Sequence, residues 1–290
     1  MRIAIFGNLY RTVILSHIQV LFEYFKDKQA TILLDKVLYE FVREHGLINL
    51  EGTVIIDSDD FDADLALSIG GDGTFLNTAA RIGRKQIPVL GINTGRLGFL
   101  ADVSNEEIIP ALDAILANQF SIEERALLYV QTSDGTTFDY PYALNEVSVL
   151  KQDSSSMMSI NTSLNGEMVH TYQADGLIVS TPTGSTAYSM SVGGPLVVPQ
   201  AQNIILSPVA SHSLNVRPLI IPDSWVIELE VHSRSQNYLV ALDGRSKVLE
   251  HQTKLYIRKA DYTVKIIKQL NHTFFDTLKN KLMWGVDKRN

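Results

Sequence analysis

Apolar residues follow two different spacings along the first 124 residues of the chain. Short apolar runs, typical of strands buried in a parallel sheet, occur at residues 3–6, 31–34, 54–56, 65–69 and 88–93. Between them, apolar residues recur every three or four positions and predict amphipathic helices at 13–25, 37–42, 75–82 and 108–116. This alternation predicts an α/β domain of the Rossmann-like type, with a parallel sheet, over residues 1–124.

The spacing changes near residue 125. Strand signals then follow one another at 127–132, 142–150, 159–164, 167–172 and 177–180, and again at 225–232, 238–242, 254–258 and 263–268. Asn165-Gly166 is a strong signal for a two-residue hairpin turn. The pattern over residues 125–270 therefore predicts an all-β domain that consists of two packed sheets, a β-sandwich. Residues 271–290 return to a helical pattern, and we expect this helix to pack back on the first domain.

The most informative stretch is the Gly-Gly-Asp-Gly turn at residues 70–73, which follows the apolar run 65–69. Glycines leave backbone N–H groups exposed, and a helix that starts at a strand end is where anions bind in open α/β sheets. We expect Thr74 to cap the helix that follows. Residues 94–99 predict a second glycine-containing loop at the end of the next strand.

Asp72 makes this turn more specific. A carboxylate is unfavourable in a simple phosphate cradle, because like charges repel at short distance and desolvation strengthens the repulsion. An Asp between glycines therefore suggests a role beside the phosphate, either accepting a proton from an attacking hydroxyl or holding a metal ion. The alternative is a tight turn in which glycines supply positive φ and the Asp bonds its own backbone.

Hydroxyl side chains crowd a second stretch, where seven of the twelve residues from 180 to 191 are Ser or Thr. Small hydroxyl groups and exposed amides suit phosphate, ribose and base edges, and Tyr188 offers a ring for an adenine face. The alternative is a loop that caps a helix starting near Thr186. Asn145 and Glu146 interrupt an apolar run, so either they reach a polar partner at a pocket or their strand lies at a sheet edge.

Composition narrows the class of protein. The chain has 290 residues, 45% of them hydrophobic, no cysteine and a formal net charge of −7. These values predict a globular protein without disulfides or thiolate metal sites, and the negative charge argues against nonspecific nucleic-acid binding. We find neither an apolar segment of membrane length nor a signal-peptide pattern, so we expect no membrane association and a cytoplasmic location. Five Asp residues between 57 and 64 indicate solvated surface rather than a metal site.

The chain resembles the NAD kinase family in four segments that keep the family's order and spacing. These segments are residues 70–76, Gly91-Ile92-Asn93 followed by 97–100, Asn145-Glu146, and residues 175–188. The Gly-Gly-Asp-Gly turn is shared with lipid kinases and 6-phosphofructokinases, whereas the long stretch 175–188 selects NAD kinases. Residues 275–285 are similar to the family's closing helix.

The resemblance implies a two-domain NAD kinase-like fold and transfer of the γ-phosphoryl of ATP to the 2′-hydroxyl of the adenosine ribose of NAD, giving NADP. It implies that Asp72 accepts the hydroxyl proton and that a divalent cation, usually Mg²⁺, accompanies ATP, with its protein ligands unassigned. It also implies a homodimer or homotetramer, in which a neighbouring subunit could contribute part of the pocket. The residues implied to bind substrate are Gly71, Gly73, Asn145, Glu146, Asp175, Thr186, Ala187, Tyr188 and Ser191.

Three positions depart from the family pattern. Gln173 stands where many relatives have a basic residue, Asn77 where Lys or Arg is frequent, and Arg245 where Gln or Asn is expected. These departures put in doubt the assignment of diphosphate contacts and the choice of phosphoryl donor.

Two rival hypotheses remain open at the level of sequence. One is a lipid kinase of the diacylglycerol or sphingosine type, although no basic amphipathic helix is evident. The other is an NADP-binding regulator without catalytic activity. The regulator hypothesis would be attractive only if Asp72 or the Asn145-Glu146 pair were missing. All three residues are present.

Overall fold

The structure is a computed structural model that describes residues 1–9, 13–46, 48–95, 97–152, 157–270 and 272–285. Arg96 of the second glycine loop and the last five residues of the C-terminal segment lie outside these ranges. The chain divides into two compact units. Unit 1 consists of Met1–Glu124 and Val264–Asn290, and unit 2 consists of Arg125–Thr263.

Strands and helices alternate in the first part of unit 1. These elements are β1 (Arg2–Gly7), α1 (Ile14–Phe25), β2 (Thr31–Asp35), α2 (Lys36–His45), β3 (Val54–Ile56), β4 (Leu65–Gly70), α3 (Asp72–Ile82), β5 (Val89–Asn93) and α4 (Ile108–Leu116). A capping box between Ser104 and Glu107 precedes α4, and Gly46 ends α2 with a φ of +63°. The predicted alternation of this region is therefore confirmed.

Strands predominate from Phe120 to Gln269. They are β6 (Phe120–Thr132), β7 (Tyr142–Ala143), β8 (Glu146–Lys151), β9 (Met158–Leu164), β10 (Glu167–Ala174), β11 (Gly176–Ser180), β12 (Asn203–Val209), β13 (Leu219–Pro222), β14 (Ile227–His232), β15 (Asn237–Leu242), β16 (Arg245–Glu250) and β17 (Leu255–Gln269). A 3-10 turn at Thr183–Thr186 precedes the short helix α5 (Tyr188–Ser191), and α6 (Phe274–Leu282) lies near the C-terminus.

The sheet of unit 1 is parallel, with the strand order β3-β2-β1-β4-β5. The second half of β17 joins it beside β5, where Ile266 pairs with Val89. Chain order reverses between β1 and β4, which is where ligands bind in open α/β sheets. Every residue of β4 is buried, as expected for a central strand of a sheet covered on both faces.

Unit 2 contains two antiparallel sheets. One has the order β13-β12-β11-β8-β15-β16, and the other contains β10, β9, β14 and the first half of β17. Val149 and Val179 from the first sheet and Ile160 and Leu229 from the second belong to one buried apolar cluster. Unit 2 is thus a β-sandwich. The predicted fold class, an α/β domain followed by an all-β sandwich, is confirmed.

The structure corrects two local predictions. Thr74 is predicted to cap the helix after the glycine turn, but α3 already begins at Asp72, with Gly71 as its N-cap residue. The strands predicted at 254–258 and 263–268 form the single strand β17, because alternating burial continues between them through Ala260 and Tyr262. Strands β12, β13 and β16 have no counterpart in the sequence prediction.

Two cationic side chains bind the Asp-rich loop at 57–64. The Arg81 guanidinium forms ion pairs with Asp35, at 2.7 Å, and with Asp59. Lys85 Nζ donates to the Asp59 carbonyl at 2.7 Å. The loop is therefore an ion-paired surface. No helix among the described residues is long and apolar enough to cross a membrane.

Candidate active site

The Gly-Gly-Asp-Gly turn joins β4 directly to α3. Gly70 has a φ of +157°, and a Cβ there would lie 2.2 Å from Thr74 Oγ1, so a side chain cannot be accommodated. A Cβ on Gly71 or Gly73 would meet nothing within 4 Å, so open space lies beside both residues. Because the first N–H groups of a helix have no partner inside the helix, the turn presents free amides at this end of the sheet, where an anion can bind.

The Asp72 carboxylate is held by three consecutive backbone amides. Oδ1 accepts hydrogen bonds from the N–H groups of Leu100 and Ala101 at 2.9 and 3.0 Å, and Oδ2 accepts one from Phe99 at 3.0 Å. The Nζ atom of Lys281 on α6 lies 3.3 Å from Oδ2. The approach depends on Gly98, since a Cβ at that position would lie 2.1 Å from Asp72 Oδ1.

These contacts decide the protonation of Asp72. Burial by itself would raise the pKa of this carboxyl group, but the amides of Ala101 and Phe99, the positive charge of Lys281 and the amide of Leu100 together lower the pKa below its ordinary value. Asp72 is therefore a carboxylate at neutral pH. It is ready to accept a hydrogen bond from a hydroxyl group, and it is a weak base.

The loop whose amides at residues 99–101 bind Asp72 is itself hydrogen-bonded to β5. Asn93 Nδ2 donates to the Ala101 carbonyl at 3.3 Å, and Gly91 leaves room for this contact, because a Cβ there would lie 2.6 Å from the Leu100 carbonyl oxygen. The neighbouring Asp102 forms a buried ion pair with Lys268 of β17. The second glycine loop predicted from the sequence therefore serves to position Asp72.

A cavity of about 270 Å³ opens beside the end of β5 and the first turn of α1. Its lining includes Asn93, Thr94, Gly95 and His17. His17 is buried; its Nδ1 bonds the Val13 carbonyl at 2.8 Å, and its Nε2 has no partner among the described residues. The helix predicted at 13–25 gave no indication of this buried polar position.

In unit 2, a second Asp carboxylate accepts hydrogen bonds from three consecutive backbone amides, as Asp72 does. Asp243 accepts hydrogen bonds from the N–H groups of Leu144, Asn145 and Glu146 at 2.7, 2.8 and 3.2 Å. Asp243 and Gly244 form the tight turn between β15 and β16, with φ values of +48° and +83°. This contact explains how the Asn145-Glu146 pair can interrupt an apolar run, because its backbone polar groups are bonded.

The hydroxyl-rich stretch folds onto the same pair. Thr181 Oγ1 donates to the Leu144 carbonyl at 2.6 Å, and the Thr181 N–H donates to the Asn145 carbonyl at 2.9 Å. Gly184 approaches so closely that a Cβ would lie 2.1 Å from the Asn145 carbonyl oxygen. The backbone N–H of Tyr188 donates to the Glu146 carboxylate. Asn145, Glu146 and Tyr188 are therefore neighbours in this unit.

Some hydroxyl groups of this stretch have local partners. Thr186 Oγ1 donates to the Thr183 carbonyl at 3.3 Å, and Ser191 Oγ donates to the Tyr188 carbonyl at 2.7 Å. Each hydroxyl group uses its proton in this bond and keeps its oxygen lone pairs as acceptors. The Tyr188 residue is 38% exposed, so its ring is accessible to a flat ligand.

Glu146 differs from Asp72 in its protonation. Burial, followed by repulsion from the Asp243 carboxylate, raises the pKa of Glu146 to about 7, and the Tyr188 amide only partly opposes this shift. Its Oε2 atom has no partner among the described residues. Burial also raises the pKa of Asp243, against the lowering effect of its amide donors and of Arg245. The two carboxyl groups share one buried environment.

Asp175 is not brought into this cluster within one chain. It precedes β11, whereas the hydroxyl-rich stretch follows β11, and five strand residues separate the two ends by roughly 16 Å. Its carboxylate instead forms an ion pair with Lys151 Nζ at 2.7 Å. Asp175 therefore stands apart from Asn145, Glu146 and Tyr188.

The three departures from the family pattern have different environments. Asn77 is exposed on α3, and Gln173 accepts a hydrogen bond from Ser159 Oγ at 3.0 Å. Arg245 donates to the Tyr142 carbonyl at 2.6 Å and lies over the ring of Tyr140. Arg245 is thus packed beside the turn that holds Asn145 and Glu146.

No group of three or more His, Cys, Asp or Glu side chains in the described ranges is placed to hold a metal ion. Asp72 has about four lone-pair positions on its carboxylate, and four N–H donors already approach them. The expected divalent cation therefore has no protein site that these residues form by themselves.

The α/β unit with its acidic glycine turn and the sandwich with its hydroxyl-rich stretch define a kinase of two-domain architecture. Residues 4–120 match the family model of the ATP-NAD kinase N-terminal domain, and residues 144–269 match that of the ATP-NAD kinase C-terminal domain. The chain belongs to the NAD kinase family.

Relatives and solved structures agree with this assignment. The chain is 52% identical over 289 residues to an NAD kinase of Bacteroides fragilis, with 100% of both chains covered, and 42% identical to one of Porphyromonas gingivalis, with 99% of both covered. An NAD kinase from Archaeoglobus fulgidus in complex with ATP superposes with a TM-score of 0.76 at 26% identity, covering 98% of this chain and 99% of that one. Yeast NADH kinase complexed with NADH has the same fold, with a TM-score of 0.91, 20% identity, and coverage of 99% and 88%.

The close approach of Gly98 to Asp72 predicts that Gly98→Ala destabilises the protein. The added Cβ would overlap Asp72 Oδ1 and lie 2.8 Å from the Ala101 carbonyl oxygen, so we expect a loss of about 1–3 kcal/mol in the free energy of unfolding. Urea denaturation measures this change. Gly73→Ala, which adds a Cβ in open space on a helix, serves as the control and should cost nothing. Equal stability of the two variants would contradict the proposed contact.

The raised pKa of Glu146 predicts a pH-dependent stability. Because the folded state binds the proton more tightly than the unfolded state, the contribution of this group is complete below the ordinary pKa of 4.5 and is lost as the pH rises through about 7. The loss is on the order of 3 kcal/mol, at about 1.4 kcal/mol per pKa unit. Glu146→Gln should therefore gain stability relative to the parent between pH 5 and pH 8.5 in urea denaturation. The exposed Glu167→Gln is the control, and a parallel pH dependence of all three proteins would refute the shift.

Proposed function

We propose that this chain is an NAD kinase that transfers the γ-phosphoryl of ATP to the 2′-hydroxyl of the adenosine ribose of NAD, giving NADP and ADP. Family membership over both units and the names of the curated relatives support this function. The single observation of geometry that carries it is an ionised Asp72 at the start of α3, which is held by the amides of residues 99–101 and has open space beside Gly71 and Gly73.

Unit 1 supplies the groups for the transfer step. The amides around Gly71 and Gly73 bind phosphate oxygens of ATP at the positive end of α3, and the cavity beside β5 offers space for another part of the donor. The ribose 2′-oxygen forms a bond to the γ-phosphorus while the bond from that phosphorus to the β,γ-bridging oxygen breaks. ADP leaves with the electron pair, and Asp72 accepts the hydroxyl proton.

The low basicity of Asp72 is compatible with this role. Phosphoryl transfer proceeds through a loose transition state, in which catalysis consists mainly of alignment and charge stabilisation. The hydroxyl becomes acidic only as its oxygen bonds to phosphorus, so the proton leaves late. A fixed, ionised acceptor is then more useful than a strong base.

Unit 2 supplies the groups that recognise the dinucleotide. Asn145 and Glu146 bind ribose hydroxyls, the Tyr188 ring stacks on a base, and the oxygen lone pairs of Thr186 and Ser191 accept hydrogen bonds, with Ala187 contributing backbone contacts. Asp175 lies at the other end of β11, so its proposed contact with NAD comes from a second copy of the chain. This division supports a homodimer or homotetramer.

The divalent cation enters as part of the substrate. It binds oxygens of the ATP phosphates and neutralises charge on the transferred group. The described residues supply amide donors around Asp72 rather than a separate ligand set. The cytoplasmic location expected from the sequence remains a prediction.

A coupled assay for NADP tests the proposed function. The purified protein is incubated with NAD, ATP and Mg²⁺, and NADP is detected with an NADP-specific dehydrogenase. NADP formation supports the proposal. Phosphorylation of diacylglycerol or sphingosine in vesicles without NADP formation would favour the lipid kinase, and NADP binding without turnover would favour a regulator.

Removal of the Asp72 charge should abolish most of the activity. Asp72→Asn is expected to lower kcat by about 10² or more, the range for loss of general-base help, while the Kd for NAD changes little. The coupled assay measures the rate and calorimetry measures NAD binding. Asp62→Asn, in the loop 57–64, is the matched control. A near-normal rate for Asp72→Asn would remove Asp72 from its role.

A further inference from the structure

The C-terminal helix α6 is fixed in unit 1 by its first turn and by one face. Thr273 and Asp276 form a capping box, in which the Thr273 side chain accepts from the Asp276 amide and the Asp276 carboxylate accepts from the Thr273 amide at 3.0 Å. The ring of Phe274 lies 6.1 Å from that of Phe99, and Leu278 is buried. Residues spaced by three and four lie on one helix face, so Phe274, Leu278 and Lys281 share a face that contains the contact with Phe99.

Lys281 contacts both the Asp72 carboxylate and the ring of Phe99. Its Nζ lies 3.3 Å from Asp72 Oδ2 and 4.7 Å from the centroid of the Phe99 ring, so the cation lies between a carboxylate and an aromatic face. The side chains of Lys281 and Asp72 are about one-third exposed. The capping box and the packing of α6 thus place one cation against Asp72.

The four contacts on Asp72 are unequal. The amides of Leu100 and Ala101 occupy both lone-pair positions of Oδ1, and the amide of Phe99 occupies one of the two on Oδ2. Each of these distances is 3.0 Å or less. Lys281 takes the remaining position with the longest contact, through a flexible side chain. A substrate hydroxyl that donates to Asp72 must replace one of these donors, and Lys281 is the donor that can move without unfolding a loop.

We propose that Lys281 is a positioning residue for phosphoryl transfer, which keeps the Asp72 carboxylate ionised and oriented and yields its place on Oδ2 to the acceptor hydroxyl. The inference rests on the proposed function and extends it to a helix that neither of the matched family domains contains. In the described chain, the charged side chain that reaches Asp72 is Lys281, and the other donors are the backbone amides of residues 99–101.

The test compares Lys281→Met with Lys279→Met, which removes an exposed cation two residues away on the same helix. Lys281→Met should lower kcat about tenfold, because loss of the contact leaves the Asp72 carboxylate less well oriented toward the acceptor hydroxyl, with the KM values for NAD and ATP within about threefold. The acid limb of the kcat profile should move to higher pH, since loss of a neighbouring cation favours the protonated carboxyl. Lys281→Arg should restore most of the rate and the original acid limb.

Each other outcome overturns the inference. A Lys281→Met variant that behaves like Lys279→Met would show that the contact is unimportant. A raised KM for ATP at unchanged kcat would place Lys281 on the phosphates instead. A lower kcat with an unchanged acid limb and no rescue by Arg would indicate a packing contact.

A double-mutant cycle shows whether Lys281 acts through Asp72. In the Asp72→Asn background, Lys281→Met should reduce the residual rate by less than about twofold, because the partner charge is already gone. A further tenfold loss would show independent action and contradict the proposal. Failure of the parent protein to form NADP at all would refute the proposed function, which is a different result.

Discussion

The interaction on which the rest of the structure depends is a partly buried carboxylate that binds three consecutive backbone amides. Each unit contains an example among its described residues, with Asp72 on residues 99–101 and Asp243 on residues 144–146. Hydrogen bonds from amides to an ionised group are stronger than neutral ones and offset much of the cost of burying the charge. Each carboxylate fixes one loop of its own unit.

The two carboxylate-amide contacts are accompanied by opposite pKa shifts in Asp72 and Glu146. Asp72 lies at a helix N-terminus beside Lys281, and its pKa is lowered, so it stays ionised. Glu146 follows directly on the loop held by Asp243, and repulsion from that carboxylate adds to its own burial, so its pKa rises to about 7. Acidic side chains of similar chemistry thus become a charged acceptor in one unit and a group that titrates near neutral pH in the other.

Local features of the fold could be predicted from the sequence where one short segment determines them. The apolar run 65–69 and the glycines after it define the strand and the turn, and Asn165-Gly166 defines the hairpin between β9 and β10. The predicted N-cap lies three residues too late, because Thr74 has the usual chemistry of a cap whereas the observed N-cap is Gly71. Glycine is a weaker signal for an N-cap than Thr, so the sequence favoured the wrong residue.

The partners of the site residues could not be predicted, because they are distant in sequence. Asp72 binds amides 27 to 29 positions away, and Lys281 is 209 positions away. Backbone amides have no side-chain signature, so no motif marks residues 99–101 as partners. The Asp243-Gly244 pair is recognisable as a turn, yet only the pairing of β15 with β8 brings it to Asn145 and Glu146. The separation of Asp175 likewise depends on which end of β11 it occupies.

The central claim is that Asp72 remains fixed on its three amides while it receives the acceptor hydroxyl. A crystal structure of the protein with NAD and a non-hydrolysable ATP analogue tests it most directly. The account predicts that the ribose 2′-oxygen lies about 3 Å from Asp72 Oδ2, a hydrogen-bond distance, while Oδ1 keeps the amides of Leu100 and Ala101. A 2′-oxygen beyond hydrogen-bond reach of Asp72, or a carboxylate turned away from residues 99–101, would contradict it.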